Sequence, residues 1–170
     1  HRKVAFESMG GQLANDFAEI GRASDAVFVM VMNGTQAKEI ILGENGLVAS
    51  MEKGSTILLT ATIKPTEACE IGAAMAGSGI DLIDSPVSGG FPGAQGGSLT
   101  LMAAAPGDIL AKNRRVMEAV SKTIHHVGSD VGIGQTVKAC LQSLIGSIFS
   151  STFEAAALAA KAGVSGDVLF

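Results

Sequence analysis

Tryptophan and tyrosine are missing from this 170-residue chain, and aromatic residues reach only 4%. A surface that stacks nucleic-acid bases needs aromatics set in a basic groove. The 12 Lys and Arg residues are scattered and outnumbered by 16 Asp and Glu, for a net charge of −4. No nucleic-acid partner is therefore expected. The acidic balance still leaves an anionic substrate open, because a local site can be positive. Only two cysteines occur, Cys69 and Cys140, far apart and without metal or redox spacing. They read as reduced thiols, not as a disulfide framework. No signal peptide and no unbroken run of 18 apolar residues is present, so no membrane partner is expected. The cytoplasm or the mitochondrial matrix is the expected compartment. No metal site is expected either, since His125-His126 lacks a Cys or carboxylate at ligand spacing. The glycine-rich dinucleotide fingerprint is also missing: Gly10-Gly11 follows no strand and lacks the spacing.

What is there is apolar and rich in small residues, 47% hydrophobic with 22 glycines. Such a chain suits helices packed closely on a sheet. Residues 13–20 predict a short amphipathic helix. Residues 26–32 form a continuous apolar run with β-branched content, as a buried parallel strand requires. Asn33-Gly34-Thr35 breaks it, with Thr35 as the expected cap of the next helix. Residues 55–60 predict a second buried strand, and 66–75 a helix opened by Pro65. Shorter strands are expected at 80–83, 98–102 and 124–127, with a Gly/Pro loop over 84–97 and a helix over 108–120. Strands alternating with helices imply an α/β fold with a mostly parallel sheet. From Gly134 the period changes. Leu141, Leu144, Ile145, Ile148, Phe149 and Phe153 recur at three and four residues, predicting one long helix over 137–162.

Two constellations can carry chemistry. In the loop Asp84-Ser85-Pro86-Val87-Ser88-Gly89-Gly90-Phe91-Pro92-Gly93-Ala94, paired glycines let the backbone approach a ligand, and free N–H groups can cradle a carboxylate or phosphate. Ser88 adds a hydroxyl, and the loop follows a strand end, where open α/β sheets bind ligands. A plain surface loop is the competing reading. The second is Lys138 with Gln142 one turn later, on one helix face. Desolvation and the positive helix end both disfavour charge on a lysine placed there, which suits it to shuttle a proton. Its competing reading is a surface lysine. Met32-Asn33 and Thr62 lie just past strands at the presumed ligand edge.

The order of these motifs resembles the 3-hydroxyisobutyrate dehydrogenase family of β-hydroxyacid dehydrogenases. Ser85 to Gly90 with Gly93-Ala94 and Gly97-Ser98-Leu99-Thr100-Leu101-Met102 is similar to that family's substrate loop. Gly132-Ile133-Gly134 before Lys138 is similar to its catalytic helix. Asn33 through Gly46 and Ala61-Thr62-Ile63-Lys64-Pro65 also match, so the resemblance covers essentially the whole chain. It implies an architecture related to 6-phosphogluconate dehydrogenase: a Rossmann domain, a linking helix and a helical domain. On that basis 1–131 is a partial NAD(P)-binding Rossmann domain, lacking its N-terminal part, and 132–170 begins the all-α domain. The resemblance makes Lys138 the acid/base. It makes Ser88, Gly89 and Gly90 the carboxylate cradle, joined by Gln142 as a substrate contact. Met32, Asn33 and Thr62 fall beside NAD or NADP. The implied substrate is a small hydroxy acid, and the implied assembly a homo-oligomer through the helical domain. The family usually has Asn where this chain has Gln142, so a reshaped substrate pocket is expected. A reductase for glyoxylate or tartronate semialdehyde, or a non-catalytic metabolite binder, are the competing functions. The start at His1 and the stop at Phe170 read as those of a middle portion of a longer protein.

Overall fold

The computed structural model describes residues 2–169, so the chain ends at His1 and Phe170 lie outside the described residues. The elements run α1 (Arg2–Ser8), α2 (Phe17–Arg22), β1 (Ala26–Val29), α3 (Gly34–Leu42), α4 (Leu47–Ser50), β2 (Thr56–Leu59), α5 (Pro65–Met75), β3 (Asp81–Asp84), β4 (Val87–Ser88) and α6 (Gly90–Gln95). They continue with β5 (Leu99–Ala104), α7 (Gly107–Lys112), α8 (Arg114–Glu118), β6 (Ser121–Gly128), α9 (Ile133–Lys161) and α10 (Gly166–Leu169).

The α/β class and the mostly parallel sheet hold, with the antiparallel β3–β5 and β4–β5 pairings making the sheet mixed. Strands β1, β2 and β3 are parallel neighbours, with Val29 opposite Leu59 and Leu59 opposite Asp84. Strand β5 then runs antiparallel, meeting β3 only where Asp84 faces Ala104. It pairs with β4 as a hairpin and with β6 in parallel. The reversal begins at Ser85-Pro86, where the chain turns back; Pro86 lends only its carbonyl, which accepts from the Met102 N–H at 3.0 Å.

Strand β2 shows why its sequence is apolar without alternation. Ile57 and Leu59 join Ile41, Leu47 and Ile71 in one core cluster, and Leu58 meets Ile83 and Met117 in another. Helices cover both faces, so each position is buried, at about 1.5–3 kcal/mol per large aliphatic side chain.

Several local expectations change. Asn33, not Thr35, caps α3: its side-chain oxygen accepts from the Gln36 N–H at 2.9 Å, while Thr35 is exposed. The first amphipathic helix begins at Phe17 because Asp16 caps it through the Glu19 N–H. The helix expected over 108–120 is split at Asn113. That buried amide donates to Thr56 Oγ1 at 3.0 Å and to the Ile109 carbonyl at 2.9 Å, which draws the chain toward β2. The loop at 84–97 holds the short β4 and α6.

Helix α9 is 29 residues long, about 44 Å at 1.5 Å per residue. By length and composition it is long and apolar enough to cross a membrane. The expectation of no such span rested on unbroken apolar runs, whereas interspersed Ser, Gly and Thr leave the average apolar. Its first turns sit on the sheet, and beyond them Leu144, Ile148, Phe149, Phe153 and Leu158 are exposed.

Candidate active site

Six of the residues singled out in the sequence line one cavity of about 780 Å³: Thr62, Ser88, Gly89, Gly90, Lys138 and Gln142. Phe28, Met30 and Leu99 supply part of its apolar wall. Met32 and Asn33 are not in that lining. Met32 is 85% exposed just past β1, and the Asn33 side chain is engaged in capping α3.

The cradle depends on glycine in a specific way. Gly89 has φ +123° and Gly90 φ +58°, conformations that L side chains rarely adopt. The two residues turn the chain from β4 into α6, and so hold Ser88 at the cavity wall.

Lys138 lies in the second turn of α9 and is 7% exposed. Burial holds its ammonium below the ordinary lysine range. The helix's positive end was the other expected cause, but a buried carboxylate meets it. Asp84 Oδ2 accepts from the Gly132 N–H at 2.8 Å and the Gln135 N–H at 3.2 Å. Gln135 extends this contact: its Nε2 donates to Asp84 Oδ1 at 2.9 Å and to the Ala61 carbonyl at 3.0 Å. Its Oε1 accepts from the Ile63 N–H at 3.0 Å. Burial raises the Asp84 carboxyl above its usual value, against the pull of the Gly132 and Gln135 donors. Sequence motifs did not single out Gln135, and Asp84 entered only as the first residue of the loop motif, without a role of its own. The available signal was a carboxylate closing an apolar strand, since a fully buried acid demands partners.

The fit of a dinucleotide is testable on this chain. The strand edge that bears Met30, Thr60 and Thr62 opens onto the same cavity as Lys138, and Met30 is exposed there. An apolar ledge with a hydroxyl beside a buried lysine fits the nicotinamide end. Among the described residues no glycine-rich turn follows a strand in the phosphate-binding pattern.

Comparison with known proteins fixes the class. Residues 2–128 match the family described as the NAD binding domain of 6-phosphogluconate dehydrogenase, and the chain belongs to that family. It is 36% identical over 158 residues to an L-threonate dehydrogenase of Escherichia coli O6:H1, covering 93% of this chain and 52% of that protein. It is 34% identical over 160 residues to a 3-hydroxyisobutyrate dehydrogenase of Pseudomonas aeruginosa, covering 94% and 53%. The crystal structure of a 3-hydroxyisobutyrate dehydrogenase from Salmonella typhimurium superposes with a TM-score of 0.88 at 30% identity, covering 98% of this chain and 58% of that one. The chain thus spans about half the length of the curated relatives it matches.

Proposed function

We propose that the full-length protein is an NAD(P)-dependent dehydrogenase of a small 3-hydroxy acid, of the 3-hydroxyisobutyrate kind, with Lys138 as its acid/base. The carrying observation is that a buried lysine and a glycine-turned Ser88 loop share one cavity. The names of the relatives support the substrate class, since L-threonate and 3-hydroxyisobutyrate are both small acids carrying a hydroxyl.

When bound, the nicotinamide supplies the hydride chemistry itself. Thr62 and Met30, with Met32 and Asn33 at the same strand edge, are the residues to hold it. The chain's own residues do the rest. The Ser88 hydroxyl and the N–H groups of Gly89 and Gly90 hold the substrate carboxylate. Neutral Lys138 accepts the hydroxyl proton at Nζ in the oxidative direction and returns it in the reductive one. Gln142, four residues on, holds a substrate oxygen with its amide. Fixing both reactants in one cavity supplies much of the rate. The test is NAD(P)H absorbance against a panel of 3-hydroxy acids and C3–C4 semialdehydes. Silence across the panel with cofactor still bound overturns the reading in favour of a binding role.

The pH profile has a definite sign. The neutral lysine is the active form for oxidation, so kcat/KM rises with pH through the Lys138 midpoint. Burial lowers that midpoint, so the rising limb lies below the free-lysine value of about 10.4. A limb at or above that value counts against Lys138 as the base.

We also propose that residues 132–170 open a helical domain and that the whole protein is a homo-oligomer through it. The exposed Leu144, Ile148, Phe149, Phe153 and Leu158 on α9 support this, since unpartnered apolar stripes of that size mark interfaces. Light scattering of the full-length protein is expected to give a dimer or larger. A monomer at high concentration removes this part of the proposal.

A further inference from the structure

We infer that Asp84 and Gln135 are a positioning pair that holds the Lys138 helix in register with the two loops it works beside, an inference that rests on the dehydrogenase reading above. The pair joins three parts of the site. Gln135 binds the backbone of Ala61 and Ile63, on either side of Thr62. Asp84 begins the segment that leads directly to Ser88, and its carboxylate holds the first turn of α9. Lys138 lies three residues beyond Gln135, about one helical turn, so a shift at Gln135 passes to it.

The donors and acceptors leave no slack. The Ala61 carbonyl can only accept and the Ile63 N–H can only donate, so the backbone fixes which way the Gln135 amide faces. The second Nε2 proton then requires an acceptor, and Asp84 Oδ1 is the one in reach. Asp84 Oδ2 is already occupied by two N–H donors. Gln135 is 1% exposed and Asp84 is fully buried, so water cannot stand in for a lost partner. Simple adhesion between helix and sheet needs no such directionality, because apolar side chains of similar size serve it as well. A directional network that spans Thr62, the Ser88 loop and the Lys138 helix fixes their relative placement.

The test uses full-length protein carrying Gln135→Met, which keeps the side chain's length and the local charge but removes its amide. Lys138 is followed without turnover, by pH-dependent acetic anhydride labelling read by peptide mass spectrometry. The labelling midpoint is expected to move up toward free lysine as Nζ gains water, and kcat to fall by about 100-fold, the scale of an ångström of misplacement. A folded variant with a lower Tm but an unchanged Lys138 midpoint and kcat overturns the proposal. Labelling does not depend on substrate, so a failure of this pairing is told apart from a failure of the dehydrogenase reading.

If Gln135→Met does not fold, the swap decides. Gln135→Glu alone sets an acceptor against the Ala61 carbonyl and against Asp84. In Asp84→Asn with Gln135→Glu, the asparagine oxygen takes the two α9 N–H groups and its amide donates to the glutamate, which leaves only the Ala61 carbonyl unmatched. A double variant whose Lys138 labels as in wild type supports the pair. A double variant that stays unfolded, or whose lysine labels as free lysine does, overturns it.

Discussion

Lys138→Ala in the full-length protein is expected to lower kcat by about 10²–10⁴-fold, the usual worth of a general acid/base, while the cofactor still binds. The reason is that nothing nearby can take over. Among the described residues that line the cavity, Lys138 is the sole ionisable side chain; the remainder are apolar groups, glycines, hydroxyls and one amide. Lys138→Arg separates proton transfer from charge. The guanidinium keeps the positive charge yet cannot be deprotonated in a protein, so it can bind an anion but cannot serve as the base. Arginine is therefore expected to be as slow as alanine in the oxidative direction. Retention of turnover by the arginine variant would reduce Lys138 to an electrostatic contact. Loss of turnover together with cofactor binding would instead point to collapse of α9.

The parts of the fold visible in the sequence are those governed by local pattern. The run at β2 is apolar because helices cover both faces, whereas the run at 26–32 is a half-buried β1 followed by exposed Met30 and Met32; Pro65 starts α5 because its fixed φ suits a first helical turn. The residues of the candidate site were visible as residue types with a motif order. Their meeting on one cavity was not, since it depends on β5 turning antiparallel and on α9 returning across the strand ends. Periodicity reports which face is apolar and does not report what lies against it. Asp84 and Gln135 are 51 positions apart, and no local rule pairs them. Asn113 reads as an ordinary helix residue until Thr56 is beside it. Asn33 illustrates a different limit. One side chain can mark a ligand edge and a helix cap alike, and the hydrogen bond to Gln36 shows the capping use.

The second large effect concerns a glycine that the helix pattern alone would replace. On an exposed helix, Gly→Ala stabilises by about 1 kcal/mol. At Gly134 the sign is expected to reverse. A Cβ there would stand 2.6 Å from the Asp84 carbonyl oxygen and 2.7 Å from that of Met102. Both are backbone atoms, one at the end of β3 and the other within β5, so neither can swing aside as a side chain would. Relief requires α9 to lift from the sheet, which stretches the Gly132 and Gln135 contacts to Asp84 and carries Lys138 with it. Gly134→Ala is therefore expected to cost about 3 kcal/mol, the upper range for overpacking, and to lower turnover as well. Gly146 is the control on the same helix, because a Cβ at that position meets nothing within 4 Å. Gly146→Ala is expected to leave stability unchanged or to raise it by about 1 kcal/mol. Urea unfolding of the two variants beside wild type reads the difference directly. If both alanines stabilise alike, α9 does not dock on the strand ends as closely as these contacts require. If only Gly134→Ala destabilises, it is the approach of helix to sheet that brings the lysine to the cavity.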